Sequence, residues 1–362
     1  MKTKNIFLAL IATALSSAMI SCDDFLDREP TSELAPETFF TDVSHLQAYA
    51  DKYYSSILPG NSGNSYGFYA NDKGTDNQIS QSAPSYFCTG EWRVPNSSGD
   101  WSFTNIYHLN FFFANVLPRF GEDLNGSGNT ISGDLKSIRH YIGELYTLRA
   151  LEYFKRYQAF GDYPIVTDPL TDNMEILTDA AKRSPRNEVA RFILSDLDKA
   201  AILMDGKDFQ TTRINRDVAL LLKSRVALFE ATWLKYFKGS AFVPNGEGWP
   251  GKTKEYNANY QYPSGSIDNE INWFFEEAEK YKSSLTENTG IVKQDLATTE
   301  NPYFAMFGQE DLSGVKEVLM WRQYVQGLGS GHDIALAADE GNWGVGVTRA
   351  FVQNFLMEDG LP

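Results

Sequence analysis

Cysteine, histidine and positive charge are all scarce in this chain, and each shortage removes a class of function. The 362 residues hold two cysteines, Cys22 and Cys88, and four histidines, His45, His108, His140 and His332. No pair of them has metal-ligand spacing, and the sequence patterns of zinc proteases, serine-nucleophile elbows and dithiol redox centres are missing. Neither a catalytic constellation nor a resident metal or organic cofactor is expected. Lysine and arginine total 32 against 47 acidic residues, a formal charge of −15. A surface this acidic repels phosphate backbones, which excludes nucleic acid as a partner. Long hydrophobic runs are scarce too: the N-terminal apolar stretch from Ile6 to Ile20 is broken by Thr13, Ser16 and Ser17 and is short for a membrane span.

What surrounds that stretch gives it a different meaning. Lys2 and Lys4 precede it, Ser21-Cys22 closes it, and Asp23 and Asp24 follow at once. A basic start, a short apolar run and small residues before a cysteine describe a cleaved export signal of lipoprotein type. Cleavage before Cys22 leaves that residue as the acylated N-terminus. Each buried CH₂ contributes about 0.8 kcal/mol and stable anchoring takes more than one chain, so the membrane contact expected is through the lipid alone. With Cys22 lipidated, Cys88 has no partner and no disulfide forms. The expected division is a signal peptide over 1–21, a lipidated tether over 22–36 and one helical domain over 37–362, long enough to bury a core without covalent staples.

Most of what remains is helical. Ser32 and Pro36 to Phe39 read as a helix start, and Phe40, Val43, Leu46, Tyr49, Ala50, Tyr53, Tyr54 and Ile57 recur at three- and four-residue spacing. Further helices are predicted over Trp101 to Phe120, Ser132 to Phe160, from Ser184-Pro185 to about Met204, Asn215 to Phe237 and Asp268 to Leu285. In the helix from Asn215 to Phe237, Val218, Leu222, Val226, Phe229 and Trp233 form the expected buried face. Trp101 and Trp233 are assigned to packing, Trp249 to no role, and Glu276, Glu277 and Glu279 with Lys280 and Lys282 to a solvated face. Two stretches break the pattern: Pro59 to Asp100, rich in Gly, Ser, Asn, Tyr and Trp, and the Gly/Pro/Asn insertion from Lys238 to Ser266. Glu317 to Val325 has the composition of a strand. A glycine-rich loop, Gly327 to Gly346, and an amphipathic helix, Arg349 to Met357, end the chain. The fold class expected is mostly α: a tetratricopeptide-like superhelix of helical pairs with long irregular loops and a small strand-containing C-terminal region.

Several motifs in order carry a resemblance. Cys22 to Asp27 with Pro30, Trp101 and Tyr107 with Asn110 and Asn115, and Glu144-x4-Arg149-Ala150-x2-Tyr153-Phe154 running into Phe160-Gly161-Asp162-Tyr163-Pro164 come first. Asp196-Leu197-x2-Ala200, Arg213-x-Asn215 with Ala219 and Leu222, Glu317 to Leu319, and Phe355-Leu356-Met357-x-Asp359-Gly360 follow. Together they resemble the SusD/RagB family, the nutrient-binding outer-membrane lipoproteins of Bacteroidetes. The resemblance implies a SusC-like TonB-dependent transporter as partner, a lipid-anchored, surface-exposed position on the outer membrane, and capture of oligosaccharides without catalysis. Peptides, as in the RagB-like branch, are the alternative cargo, and an anchored hydrolase is the third reading. Family members normally continue past the Asp-Gly motif, so the domain is expected to be incomplete at its C-terminus.

Sugars offer an apolar C–H face and a ring of hydroxyls, so their sites combine aromatic platforms with planar polar side chains. Trp92 and Arg93, with Tyr66, Tyr69, Asn71 and Asp72 upstream, supply that combination in the first irregular stretch. So long an irregular segment in a compact domain is usually functional or mobile. Tyr303 and Trp343 supply aromatics in the later loops. Asp72 and Asp76 flank Gly74 in a way that leaves a structural calcium open.

Overall fold

The computed structural model describes residues 39–60, 72, 74–80, 101–121, 123–206, 209–282, 285, 302–325, 331, 345–357 and 359–361. Cys22, the tether and Cys88 lie outside them. Helices α1 (Val43–Ile57), α2 (Thr104–Phe120), α3 (Leu135–Phe160), α4 (Met174–Ala180), α5 (Arg186–Leu203), α6 (Arg216–Tyr236) and α7 (Ile267–Glu279) make up most of the described chain. Two 3₁₀ turns, Pro250–Thr253 and Glu255–Asn257, lie in the insertion before α7, and the short α8 (Pro302–Phe307) and α9 (Arg349–Val352) follow it. One small sheet pairs β1 (Gln78–Ser80) antiparallel with β2 (Val345–Val347), with Ile79 opposite Gly346. This is the mostly α, tetratricopeptide-type architecture expected.

Helix starts follow capping chemistry. Asp42, Asp134, Asn173, Asn215 and Ser266 each accept a hydrogen bond from a first-turn N–H with the side chain, which satisfies a donor the helix cannot. The start of α5 differs from the expected pattern. Pro185 holds the cap position with no side-chain bond, and Ser184 instead exchanges backbone bonds with Tyr163. Asp162, from the loop after α3, takes the Arg186 N–H at 2.9 Å. Trp101 lies ahead of α2 rather than inside it and is 37% exposed, so its place at helical core spacing is corrected.

Helix α3 is the spine. It packs on α1, α2 and α5, while α6 packs between α5 and α7. Because α3 has neighbours on several sides, polar groups fall inside: His140, Glu144, Thr147, Arg149 and Glu152 are buried beside Ile138, Ile142, Leu145 and Leu148. Gly143 marks the closest approach, since a Cβ there would sit 2.6 Å from Met204 Cγ and 3.1 Å from the Ala200 carbonyl oxygen of α5. Helix α6 is covered from two sides. Its most buried face is Ala219, Lys223, Val226, Ala227, Glu230 and Leu234, whereas Val218, Leu222, Phe229 and Trp233 are only partly covered. The expected face is therefore rotated.

Buried charges stitch neighbouring helices together. Arg149 binds Asp196 through two hydrogen bonds of 2.7 and 2.8 Å. Arg213 reaches Glu144 at 2.7 Å and Asp51 at 2.7 Å, so one guanidinium ties the loop before α6 to α3 and α1. Fully buried Lys223 holds Asp198 at 2.6 Å and Glu277 at 2.5 Å. Glu277 is thus an ion-pair anchor rather than part of a solvated face.

Glu270 on α7 accepts from Arg191 at 2.7 Å, from Asn187 at 2.8 Å and from the Ser264 N–H at 3.2 Å. Burial pushes its carboxyl up, but the bonds from Arg191, Asn187 and Ser264 outweigh it and hold the group below its usual value of 4.5. A depressed folded value means this stabilisation is present above the unfolded value and is lost as pH falls through the folded one. The stability gap between wild type and Glu270→Gln is expected to stay constant from pH 7 to about 5 and to shrink below about pH 4, as read from urea midpoints.

Two expectations at the C-terminal end are corrected. Glu317 to Tyr324 is not a strand; its backbone is committed elsewhere. The Leu319 carbonyl accepts from Asn215 Nδ2 at 2.8 Å, and the Trp321 N–H donates to the Thr211 carbonyl at 3.0 Å. The predicted Arg349 to Met357 helix shrinks to four residues, none of them buried. Without a tertiary face, so short a helix has nothing to extend it.

Candidate functional site

Of the residues singled out for ligand contact, Tyr66, Tyr69, Asn71, Trp92, Arg93 and Trp343 lie outside the described residues. Asp72 is exposed, and among the described residues its carboxylate meets Asn77 Nδ2 at 3.5 Å while its carbonyl closes a turn onto Thr75. Among the described residues no group of three or more His, Cys, Asp or Glu gathers around a cation position. Tyr303 is 61% exposed and meets Phe307 edge-on at 5.0 Å. The β1–β2 pairing joins the segment after Pro59 to the end of the glycine-rich loop, and the Thr348 N–H donating to the Asn77 carbonyl at 2.9 Å extends it.

Among the described residues, a concave site lies elsewhere, under the 238–266 insertion. A cavity of about 570 Å³ opens between the end of α3, the segment before α5, the end of α6 and the insertion. That volume falls within the range of small-ligand sites. Its floor is built by the Phe160-Gly161-Asp162 motif. Gly161 caps α3 with φ +68, a conformation open to glycine, and this turn sends Asp162 back toward the insertion. The Asp162 carboxylate then accepts from Trp249 Nε1 at 2.7 Å and from the Arg186 N–H. Burial raises this carboxyl above its ordinary value in spite of both bonds and the nearby arginines. Trp249, to which the sequence assigned no role, is buried as the pin that closes the insertion onto α3. Gly251 has to be glycine for the same reason, since a Cβ there would meet the Trp249 ring at 2.2 Å.

The walls are aromatic. Trp233 donates Nε1–H to the Phe242 carbonyl at 3.1 Å and carries the Arg186 guanidinium 4.2 Å above its ring, so it serves packing and the cavity together. Phe242 is 61% and Tyr256 44% exposed, which leaves two ring faces free for a ligand. Gln158, Arg183 and Lys254 add polar edges. Arg183 is fixed by its backbone, which donates to the Tyr256 hydroxyl at 3.4 Å and accepts from Asn257 Nδ2 at 3.0 Å. A second hollow of about 260 Å³, between Tyr107 and Leu177, is lined almost wholly by apolar side chains and has little with which to orient a sugar.

The sequence reading passed over Arg183, Phe242, Lys254 and Tyr256. The signal was available, because an insertion of this length exceeds an ordinary connection as clearly as the stretch after Pro59 does.

No protein-family model matches the chain. It is 24% identical over 263 residues to one SusD-like protein of Formosa agariphila, covering 68% of this chain and 46% of that protein. A second SusD-like protein of the same organism is 24% identical over 203 residues, covering 55% and 37%. Its fold is similar to that of a SusD-like carbohydrate-binding protein from Bacteroides fragilis, with a TM-score of 0.52 at 15% identity, over 90% of this chain and 55% of that one. The chain is similar in sequence to SusD-like proteins and in fold to a SusD-like carbohydrate-binding protein. It spans less than half the length of these two curated relatives.

Proposed function

We propose that this chain captures oligosaccharides at the bacterial outer surface without cleaving them and passes them to a SusC-like, TonB-dependent transporter. The observation that carries the reading is the cavity under the insertion, with exposed aromatic faces beside planar polar side chains, the combination a sugar ring requires. The related carbohydrate-binding protein of like fold points the same way. Trp92, Arg93, Tyr66, Tyr69, Asn71, Asp72, Tyr303 and Trp343 are proposed as further ligand contacts. The division into signal (1–21), lipidated tether (22–36) and helical domain (37–362) belongs to the same proposal.

Calorimetric titration of the purified protein with plant, host and microbial oligosaccharides and with a peptide mixture tests the capture role. Saturable heat with one glycan class and intact products is the expected result. Heat with peptides alone transfers the role to peptide uptake, and any cleaved product removes the non-catalytic assignment. The anchor is tested separately. No described helix is long and apolar enough to cross a membrane. Because acyl chains on Cys22 are the proposed anchor, Cys22→Ala is expected to move the protein from the membrane pellet to the soluble fraction. Full retention in the pellet would remove the lipid-anchor assignment.

A further inference from the structure

We infer that the cavity under the insertion takes a negatively charged sugar, one bearing a carboxylate or a sulfate, with Arg183 and Lys254 as its anion contacts. The inference rests on the glycan-binding reading of this cavity and narrows it. In a chain of formal charge −15, this cavity gathers Arg183, Arg186 and Lys254 against a single carboxylate, Asp162. Among the described residues Asp162 makes no ion pair with Arg183 or Lys254, and Arg186, the third cation, already has its own partner. The Asp162 oxygens are taken by Trp249 and the Arg186 N–H, and the Arg186 side chain is balanced by Glu230.

Arg183 differs from four other stacked arginines. Arg149, Arg186, Arg191 and Arg213 all lie over aromatic rings, and each also holds a carboxylate: Asp196, Glu230, Glu270 and Glu144 respectively. Arg183 stacks on Trp101 at 4.5 Å in the same way and, among the described residues, makes no ion pair. Lys254, exposed at the same rim, makes none either. A stacked guanidinium with its backbone fixed on both sides is already oriented, so a ligand that binds it loses little freedom in doing so. Its planar fork matches the paired oxygens of a carboxylate or sulfate, and the lysine adds a point charge. The exposed rings of Tyr256 and Phe242 complete the site by covering a sugar's C–H face.

The test is calorimetric titration of the purified protein with tetragalacturonate, a sulfated galactan tetrasaccharide, neutral galactotetraose and tetraglutamate. At least one acidic sugar is expected to bind tenfold or more tightly than galactotetraose, and more weakly as salt is raised. Arg183→Ala and Lys254→Ala are each expected to weaken that sugar by about tenfold or more. Arg183→Lys, which keeps the charge and loses the fork, is expected to fall between. Both side chains are exposed, so thermal midpoints should not move. Galactotetraose binding as tightly as the acidic sugars, or acidic binding that ignores both alanine variants, would overturn the anionic assignment and leave glycan capture standing. Binding of tetraglutamate alone, or of none of the four, would overturn the inference and glycan capture at this cavity together.

Discussion

Asp196→Ala is expected to lower the unfolding free energy by about 3–5 kcal/mol, the cost of leaving a buried charge without its partner. Asp196 has no exposed side-chain surface and Arg149 has 5%, and the two meet through a bidentate pair of hydrogen bonds. Removing the carboxylate strands the guanidinium between the Phe113 ring at 4.4 Å and the Phe192 ring at 5.3 Å. Among the described residues the Asn110 amide oxygen at 2.9 Å is then its one remaining acceptor. Lys199, 3.7 Å from Asp196, is 38% exposed and stays hydrated, so losing that contact adds little. Replacing Arg149 and Asp196 together with leucine or methionine is expected to cost much less, because no charge is then stranded. Urea unfolding of the single and double variants separates the cases. A loss below about 1 kcal/mol for Asp196→Ala would mean that solvent reaches the arginine, and the pair would count as a surface bridge.

Arg149 and Asp196 were legible in the sequence as members of two separate motifs, as were Glu144 and Arg213, yet nothing in the linear order joined them. Helical periodicity reports which residues lie on an apolar stripe, and it located α3, α5 and α6 to within a few residues, whereas α1 starts at Val43 behind its Asp42 cap, later than the start expected at Pro36 to Phe39. It is silent on charge placed in the interior. On a helix with neighbours on several sides a buried arginine reads as a surface one until its partner is seen. The same limit explains the rotated face of α6, where Lys223 and Glu230 are buried by pairing while the larger Phe229 and Trp233 lie toward its edge. It also explains Glu277, read as solvated because its partner lies on α6. For the site, composition drew the reading toward Trp92 and Trp343, and Trp249 received no role because its partner, Asp162, lies 87 residues away. The strand predicted over Glu317 to Val325 failed for a related reason. Its β-branched and aromatic residues fit a pleated surface, but Thr211 and Asn215 claim the backbone groups first.

Glu230→Ala is expected to cost about 3–5 kcal/mol as well, and it couples stability to the binding cavity. Glu230 is fully buried on α6, where it accepts from Arg186 Nη2 at 2.9 Å and Nε at 3.0 Å and from the Tyr157 hydroxyl. The Tyr157 oxygen in turn accepts from Arg186 Nη2 at 2.8 Å. One carboxylate therefore joins α3, α5 and α6 at the point where their ends frame the cavity. Arg186 lies over Trp233 because Glu230 holds it there. Without that partner the guanidinium is free to leave the wall and claim Asp162, and the Trp249 pin would then be disturbed. Loss of ligand affinity should accompany the loss of stability. Glu230→Gln keeps the shape and one acceptor while removing the charge, and is expected to cost about 1–3 kcal/mol with the cavity nearly intact. Denaturation midpoints and sugar titration on both variants make the distinction. If Glu230→Ala unfolds like wild type, the three-helix junction does not depend on this carboxylate. If it is destabilised and still binds with full affinity, the cavity wall is held by the aromatic contacts of Trp233 and Trp249 rather than by the charge beneath them.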